Sequence, residues 1–543
     1  MYVTLEGSAT AHVDSFARQA LPQRELWPDL VFDLPALVYP DRLNCAVELL
    51  DRVIDRLGPD RPCLIDGPGT VWSYGEVLRR ANQLAHVLVD DLGLVPGGRV
   101  LLRGPNNPDL VVCWLAALKA GGVVVTTMPL LRPGELQVVG DMARVGIGLC
   151  DARFVDDLAA AAIPGMQIAV YGGGGPDDVL ARLGERPETF DNVDTAADDV
   201  CLLAFTSGTT GKPKATMHFH RDVLAIADTF SAEVVKPEPS DVFAGSPPLA
   251  FTFGLGGLVV FPLRVGAASL LLEKAPPDEL FAAIGRHRVT VLFTAPTGYR
   301  AALRHIADYD LSSLRRCVSA GEALPAATWH AFHEATGLPI IDGIGATEML
   351  HVFIGSADDD IRPGSTGRAV PGYVACVLDP DGRVVPDGQA GRLAVKGPTG
   401  CRYLDDVRQR DYVQNGWNVT GDTYVRDADG YFWYQARSDD MIISAGYNIA
   451  GPEVENALLK HPFVDECAVV GLPDPDRGMV VTAFVVLAPD VPQTDETVRA
   501  LQDFVKAEIA PYKYPRSVRF VDALPKTATG KLQRFQLRAQ PEL

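Results

Sequence analysis

Residues 202–220 read LLAFTSGTTGKPKATMHFH. An apolar run with strand character meets a loop of serine, threonine, glycine and lysine. Small residues expose backbone N–H groups, hydroxyls add donors and lysines add charge, which together make a phosphate cradle. The spacing is not that of a P-loop, which needs a glycine five residues before its second glycine and a hydroxyl after its lysine. Counting back from Gly211 reaches Thr206, and Pro213 occupies the hydroxyl position. Pro213 also lacks an N–H and disfavours helix at Lys212. The loop is therefore expected to hold phosphates for a displacement other than the P-loop's.

Outward from this loop, apolar runs alternate with amphipathic segments. YGEVLRRANQLAHVLVD has helical spacing and GRVLLRG follows as a short strand; VTVLFTAP and LRRCVSAG repeat the pattern. The alternation predicts α/β layers with largely buried sheets. Past about residue 365, ACVLDPDGRVVPDGQAGRLAVKG and VRDADGYFWYQAR have strand, Asp-Gly turn, strand character and predict a β-rich subdomain. Beyond ARSDDMIISAG, two helix candidates and two strands predict a small α+β domain with its own core. The fold class expected is α/β, with a large N-terminal domain over 1–438 and a small mobile domain over 439–543.

Length and composition narrow the function. At 543 residues the chain exceeds one core, and 47 % hydrophobic against 22 % charged residues is globular. A net charge of −20 argues against nucleic acid or anionic membrane as partner. Nine scattered cysteines without a close pair predict free thiols in a reducing cytoplasm, with Cys201 a plain buried thiol. The N-terminus lacks a signal peptide's basic start and apolar stretch. LVVCWLAALKAGGVVVTTMPLL is split by Lys119 and paired glycines, and FGLGGLVVFPLRVGAASLLL by Pro262 and Arg264, so neither is expected to span a membrane.

Further glycine-rich stretches follow strand-like segments: SAGEAL at 319–324 and DGIGATEML at 342–350. TGDTYVRDADG sets Asp422 in a turn, and PKTATGKLQR places Lys531 near the chain end. Singly each is an ordinary turn or a solvated charge. In this order, with TSGTTGKPK and ARSDD, they make the chain resemble the adenylate-forming superfamily of acyl-CoA synthetases, luciferases and peptide-synthetase adenylation domains. Within it, IDGIGATEMLHVF and PYKYPRSVRFVDALPKTATGKLQRFQLR are similar to bacterial benzoate-CoA ligases and their 2-aminobenzoate-activating relatives, and the N-terminal region to the latter.

The resemblance implies ATP, CoA and Mg2+ as reactants and cofactor, with a small aromatic carboxylic acid as substrate. The acid would attack the α-phosphorus, pyrophosphate would leave, and a thiol would then displace AMP. Thr206, Ser207, Gly208, Thr209, Thr210, Gly211 and Lys214 fall on the phosphate loop. Thr347 falls on an α-phosphate donor and Glu348 on the magnesium ligand. Asp422 falls on the ribose-binding acid, with Tyr434 nearby in the nucleotide site and Arg437 reaching ribose or phosphate. Gly321, Glu322 and Ala323, with Asp342, Gly343 and Ile344, fall on the adenine lining; the family usually has an aromatic residue where Ile344 stands. Lys531 would bridge the carboxylate and the α-phosphate. Asp439 would be the hinge that withdraws Lys531 and presents Ser444, Gly446 and Tyr447 to the thiol's tunnel.

Phe251, Thr252, Phe253, Ala320, Ile344, Gly345, Leu350 and His351 fall on the acyl wall, which suits a flat ring and looks too closed for a long fatty chain. His351 falls where an ortho-amino or hydroxyl substituent could lie. The leading expectation is a 2-aminobenzoate- or benzoate-CoA ligase. The alternatives are a stand-alone aryl-acid adenylating enzyme that loads a carrier protein, and a non-catalytic binder that kept the fold. A homodimer is left open.

Overall fold

The computed structural model describes residues 9–175, 177–207, 213–437, 440–444, 447–474, 477–509, 511–526 and 532–539; of Ser207, Arg437, Ile443, Tyr447, Asn448 and Gly478 it describes the backbone. Among the described residues four sheets organise the chain. The first has six strands, parallel from Gln167–Tyr171 through Ile147–Asp151, Arg99–Arg103 and Val123–Thr127 to β1 (Val200–Ser207). It closes with an antiparallel hairpin to β2 (Pro213–Phe219). Parallel strands are covered on both faces, which is why VVVTT and VCLLAFTS read as continuous apolar runs. The opening stretch is therefore a hairpin, with Thr206 opposite Lys214 and Ser207 opposite Pro213.

The second sheet has nine strands and carries the other loops of interest. Its parallel centre includes β3 (Arg316–Ala320) beside β4 (Ile340–Gly345), with Ser319 opposite Asp342 and Ala320 opposite Gly343. SAGEAL and DGIGATE consequently leave the sheet side by side. Helices cover the sheets: Tyr74–His86 starts at Ser73, whose hydroxyl accepts the Glu76 N–H at 3.1 Å, and Pro108–Lys119 starts at Asn107, which accepts from Leu110 at 3.0 Å. The second helix is buried along nearly its whole length, and its Lys119 ammonium sits 2.6 Å from Asp51. The two long apolar stretches are interrupted as expected. One is this helix, a turn and the strand Val123–Thr127; the other is a set of short helical turns and the strand Ala268–Leu271. Among the described residues no helix is long and apolar enough to cross a membrane.

The third sheet is the expected β-rich subdomain. Its longest hairpin joins β5 (Trp417–Arg426) to β6 (Phe432–Arg437) through DADG, with Asp422 opposite Arg437. The fourth sheet belongs to the small C-terminal domain. Strands Ile442–Ser444, Tyr447–Ile449, Val464–Asp474, Gly478–Leu487 and Ser517–Phe520 pack helices Gly451–Leu458 and Asp495–Glu508 around a separate core that includes Val454, Val469 and Leu501. All nine cysteines are buried and free, Cys201 among them, beside Cys45 and His220.

Candidate active site

The hairpin and the GATE turn meet. Thr347–Met349 form a single helical turn directly after β4, and Glu348 is turned inward onto β2. Its Oε1 accepts from the Lys214 ammonium at 2.8 Å and from the Tyr403 hydroxyl at 2.5 Å. Lys214 also donates to the Tyr403 oxygen and lies 4.5 Å from that ring's centre. Burial, reinforced by the Glu348 charge, pushes the Tyr403 phenol far above its ordinary range, so it remains a donor. Tyr403 was not legible in the sequence: it sits in an irregular segment that bridges to Thr216 of β2, and no local pattern marks it.

This cluster has the chemistry of an anion site. Thr206, one residue before the end of β1, has its hydroxyl buried and without a partner among the described residues, and Lys214 brings a cation across the hairpin. Gly208, Thr209, Thr210 and Gly211 lie outside the described residues. A lone carboxylate such as Glu348, beside a phosphate-type loop, fits magnesium, which takes one or two carboxylates and otherwise waters and phosphate oxygens. Glu348 is the residue that would hold it.

Above the parallel edge, Ala320 is buried and Gly321 turns with φ +95°, a conformation open to glycine. Glu322 then accepts the backbone N–H of Leu532 at 3.1 Å. Lys531 lies outside the described residues, yet its neighbour is tied to a loop of the large domain. Across the same joint Arg300 pairs with Glu466 at 3.1 Å and Arg304 with Asp465 at 2.5 Å. Asp342 is half-buried with one carboxylate oxygen unpartnered among the described residues. Burial lifts its pKa to about 7, against the pull of the Gly343 and Leu324 backbone. Gly343 and Ile344 follow it on β4, and Ala323 follows Glu322 in its loop.

On the third sheet, Asp422 and Arg437 are cross-strand partners, and the Tyr434 ring meets Tyr424 at 5.4 Å. Asp439 and Gly446 lie outside the described residues. Ser444 and Tyr447 stand in the small domain's sheet, opposite one another in its short hairpin, and the buried Ser444 hydroxyl has no partner among the described residues.

His351 lies at the centre of an aromatic cage. Phe261 approaches it at 4.5 Å between ring centres, Phe230 and Phe253 at 5.6 Å, and Phe293 at 6.5 Å. Neither ring nitrogen has a hydrogen-bond partner among the described residues, and burial pushes the imidazole down to about 3, so it is neutral. Phe251 and Thr252 begin the helical turn that carries Phe253. Gly256 lies against the cage: a Cβ there would come within 2.3 Å of His351 Cδ2. Gly345 is similarly close to the His351 backbone, and the buried Leu350 between them takes φ +69°. Of the cage, the sequence pointed to Phe253 and His351; Phe261 lies further along the same helical run as Phe253, and Phe230 and Phe293 come from two separate elements.

A phosphate-type hairpin, an inward carboxylate and paired glycine loops at one sheet edge make a nucleotide site, and the comparisons agree. The family model for AMP-binding enzymes matches residues 51–402, and that for the AMP-binding enzyme C-terminal domain matches residues 453–531. The chain belongs to the AMP-binding enzyme family. Membership together with relatives that are named CoA ligases makes it an AMP-forming acid–thiol ligase. Benzoate–CoA ligase of Thauera aromatica is 35 % identical over 517 residues, 93 % of this chain and 97 % of that protein. The anthranilate CoA ligase AuaEII, solved in complex with anthranoyl-AMP, superposes with a TM-score of 0.89 at 36 % identity, over 94 % of this chain and 99 % of that one. A benzoate CoA ligase from Burkholderia xenovorans LB400 gives 0.84 at 35 % identity, over 91 % and 100 %. Like this AMP-binding enzyme, both structures run through the small domain to nearly full length.

Proposed function

We propose that this AMP-binding enzyme is an ATP-dependent aryl-CoA ligase whose acid is 2-aminobenzoate or a closely similar benzoate. The observation that carries the reading is the aromatic cage around His351, one turn beyond Glu348. A flat ring docked against the partly buried Phe251–Phe253 edge of that cage would bring its carboxylate toward the phosphate hairpin.

In this reading Thr206, Ser207, Thr209, Thr210 and Lys214 hold the outer phosphates. Thr347 donates to the α-phosphate, and Glu348 holds magnesium, which offsets phosphate charge when bound. Asp422 and Arg437 take the ribose side, and residues 321–323 and 342–344 line the base, with Ile344 packing where a ring would stack. Lys531 bridges the two anions in the attack. Residues 1–438 form the catalytic core, and residues 439–543 turn about Asp439 so that Ser444, Gly446 and Tyr447 face CoA in the second half-reaction. The Leu532–Glu322 bond supports a small domain docked for the first half-reaction.

The 2-aminobenzoate assignment is supported by the likeness to AuaEII and by a neutral imidazole with unengaged nitrogens, which can meet an ortho-amino group. Pyrophosphate release across benzoate, 2-aminobenzoate, salicylate, cinnamate and a medium-chain fatty acid tests the substrate class; the benzoates should lead, and preference for the fatty acid would refute it. For His351→Ala, kcat/KM with 2-aminobenzoate should fall about tenfold more than with benzoate, the size of one lost hydrogen bond. An equal fall for both acids removes the ortho contact. Assay of CoA against a carrier protein as acceptor separates the ligase from a carrier-loading enzyme.

A further inference from the structure

Residues 214, 216 and 218 alternate onto one face of β2. Two of them grip consecutive residues of the GATE turn. Lys214 reaches the Glu348 carboxylate, and His218 Nε2 lies 2.9 Å from the Thr347 carbonyl oxygen. A carbonyl only accepts, so Nε2 carries the proton and donates. His218 is fully buried and, by that burial and the nearby Arg402 charge, is neutral. Its other nitrogen faces Asp222 at 3.9 Å without a hydrogen bond, and Asp222 is held by Arg402, the residue before Tyr403.

The turn so gripped is strained. The Thr347 carbonyl also accepts the Leu350 N–H at 3.1 Å, and Leu350 is a non-glycine residue at φ +69°. Such a backbone persists only where its surroundings over-determine it. We propose that His218 is a positioning residue: its N–H fixes the Thr347 carbonyl, and thereby sets the Thr347 hydroxyl and the Glu348 carboxylate against the phosphate hairpin. The proposal rests on the reading of Thr347 and Glu348 as the α-phosphate donor and the magnesium ligand.

The comparison is among the parent, His218→Leu, which removes the donor but keeps apolar bulk, and His218→Gln, which keeps an N–H. Thr216→Val is the control, since its hydroxyl is buried on the same face without a partner among the described residues. Amide hydrogen exchange over residues 346–351 of the unliganded chain reads the grip directly. His218→Leu should speed it about tenfold, slow benzoate-dependent pyrophosphate exchange by a similar factor and raise the half-saturating Mg2+ concentration, with the benzoate KM within about twofold. His218→Gln should recover most of each loss, and Thr216→Val should match the parent.

Parent-like amide exchange and rate in a folded His218→Leu overturn the proposal, as does equal impairment of the Leu and Gln variants, which would make ring volume the cause. If His218→Leu does not fold, His218→Asn, whose shorter amide cannot reach Thr347, takes its place under the same criteria. If the parent releases no pyrophosphate with any acid, the ligase reading falls, and amide exchange still decides whether His218 holds the turn.

Discussion

Among single residues, Asp342 has the most consequential environment for pH. Burial lifts its carboxyl from an ordinary 3.8 to about 7, so between those values the folded chain binds a proton that the unfolded chain has released. Stability therefore falls as pH rises through that window, by about 1.4 kcal/mol per unit at most. From pH 5 to 8 the parent should lose about 2–3 kcal/mol through this group, and Asp342→Asn should not. Urea unfolding of both proteins at the two pH values checks this; parallel losses would mean that the carboxyl titrates normally. Asp342 was legible in the sequence as part of a glycine-rich loop. Its charge state was not, because that depends on the burial created by packing of separate elements around it, offset by the Gly343 and Leu324 backbone.

At the level of elements, the sequence carried the strands and loops but not the contacts among them. TSGTTGKPK suggested a phosphate loop by composition, and adjacent parallel strands were enough to bring SAGEAL and DGIGATE together. The aromatic cage could not be read in this way, since Phe230, Phe261 and Phe293 share no motif and meet through packing of separate elements. Nor could the contacts of Tyr403 and His218, which depend on the register of β2 against the 401–404 segment and on the seating of the 347–349 turn against β2. The wide helical turn Gly256–Val260 shows how tight that packing is. Gly256→Ala would drive a methyl into the His351 ring, which Phe261 prevents from yielding. Overpacking of this kind costs about 1–3 kcal/mol. A lowered denaturant midpoint with reduced aryl-acid turnover is expected; an unchanged midpoint would show the ring free to move aside.

For the whole molecule, the small domain has a separate core and, among the described residues, is tied to the large one by pairs such as Arg300–Glu466 and Arg304–Asp465, which on the proposed reading set the terms of the cycle. Charge reversal at the joint, in the double variant Arg300→Glu with Arg304→Glu, opposes Asp465 and Glu466 with like charge. It should slow pyrophosphate release about three- to tenfold and leave CoA acylation by preformed acyl-AMP within twofold, with the gap narrowing in high salt. Lys531→Ala should cut the first half-reaction at least about a hundredfold and spare the second. Parent-rate acyl-AMP formation in that variant would end the bridging role.

The Leu532–Glu322 bond carries one more implication. Glu322 belongs to the loop read as lining the base, so the energy of seating the small domain and the energy of retaining nucleotide are not independent quantities. By thermodynamic reciprocity, whatever factor ATP contributes to seating is the factor by which seating tightens ATP. Unseating would likewise loosen AMP by whatever factor AMP itself contributes to seating, and departure of the spent nucleotide would be timed by the motion that admits the thiol.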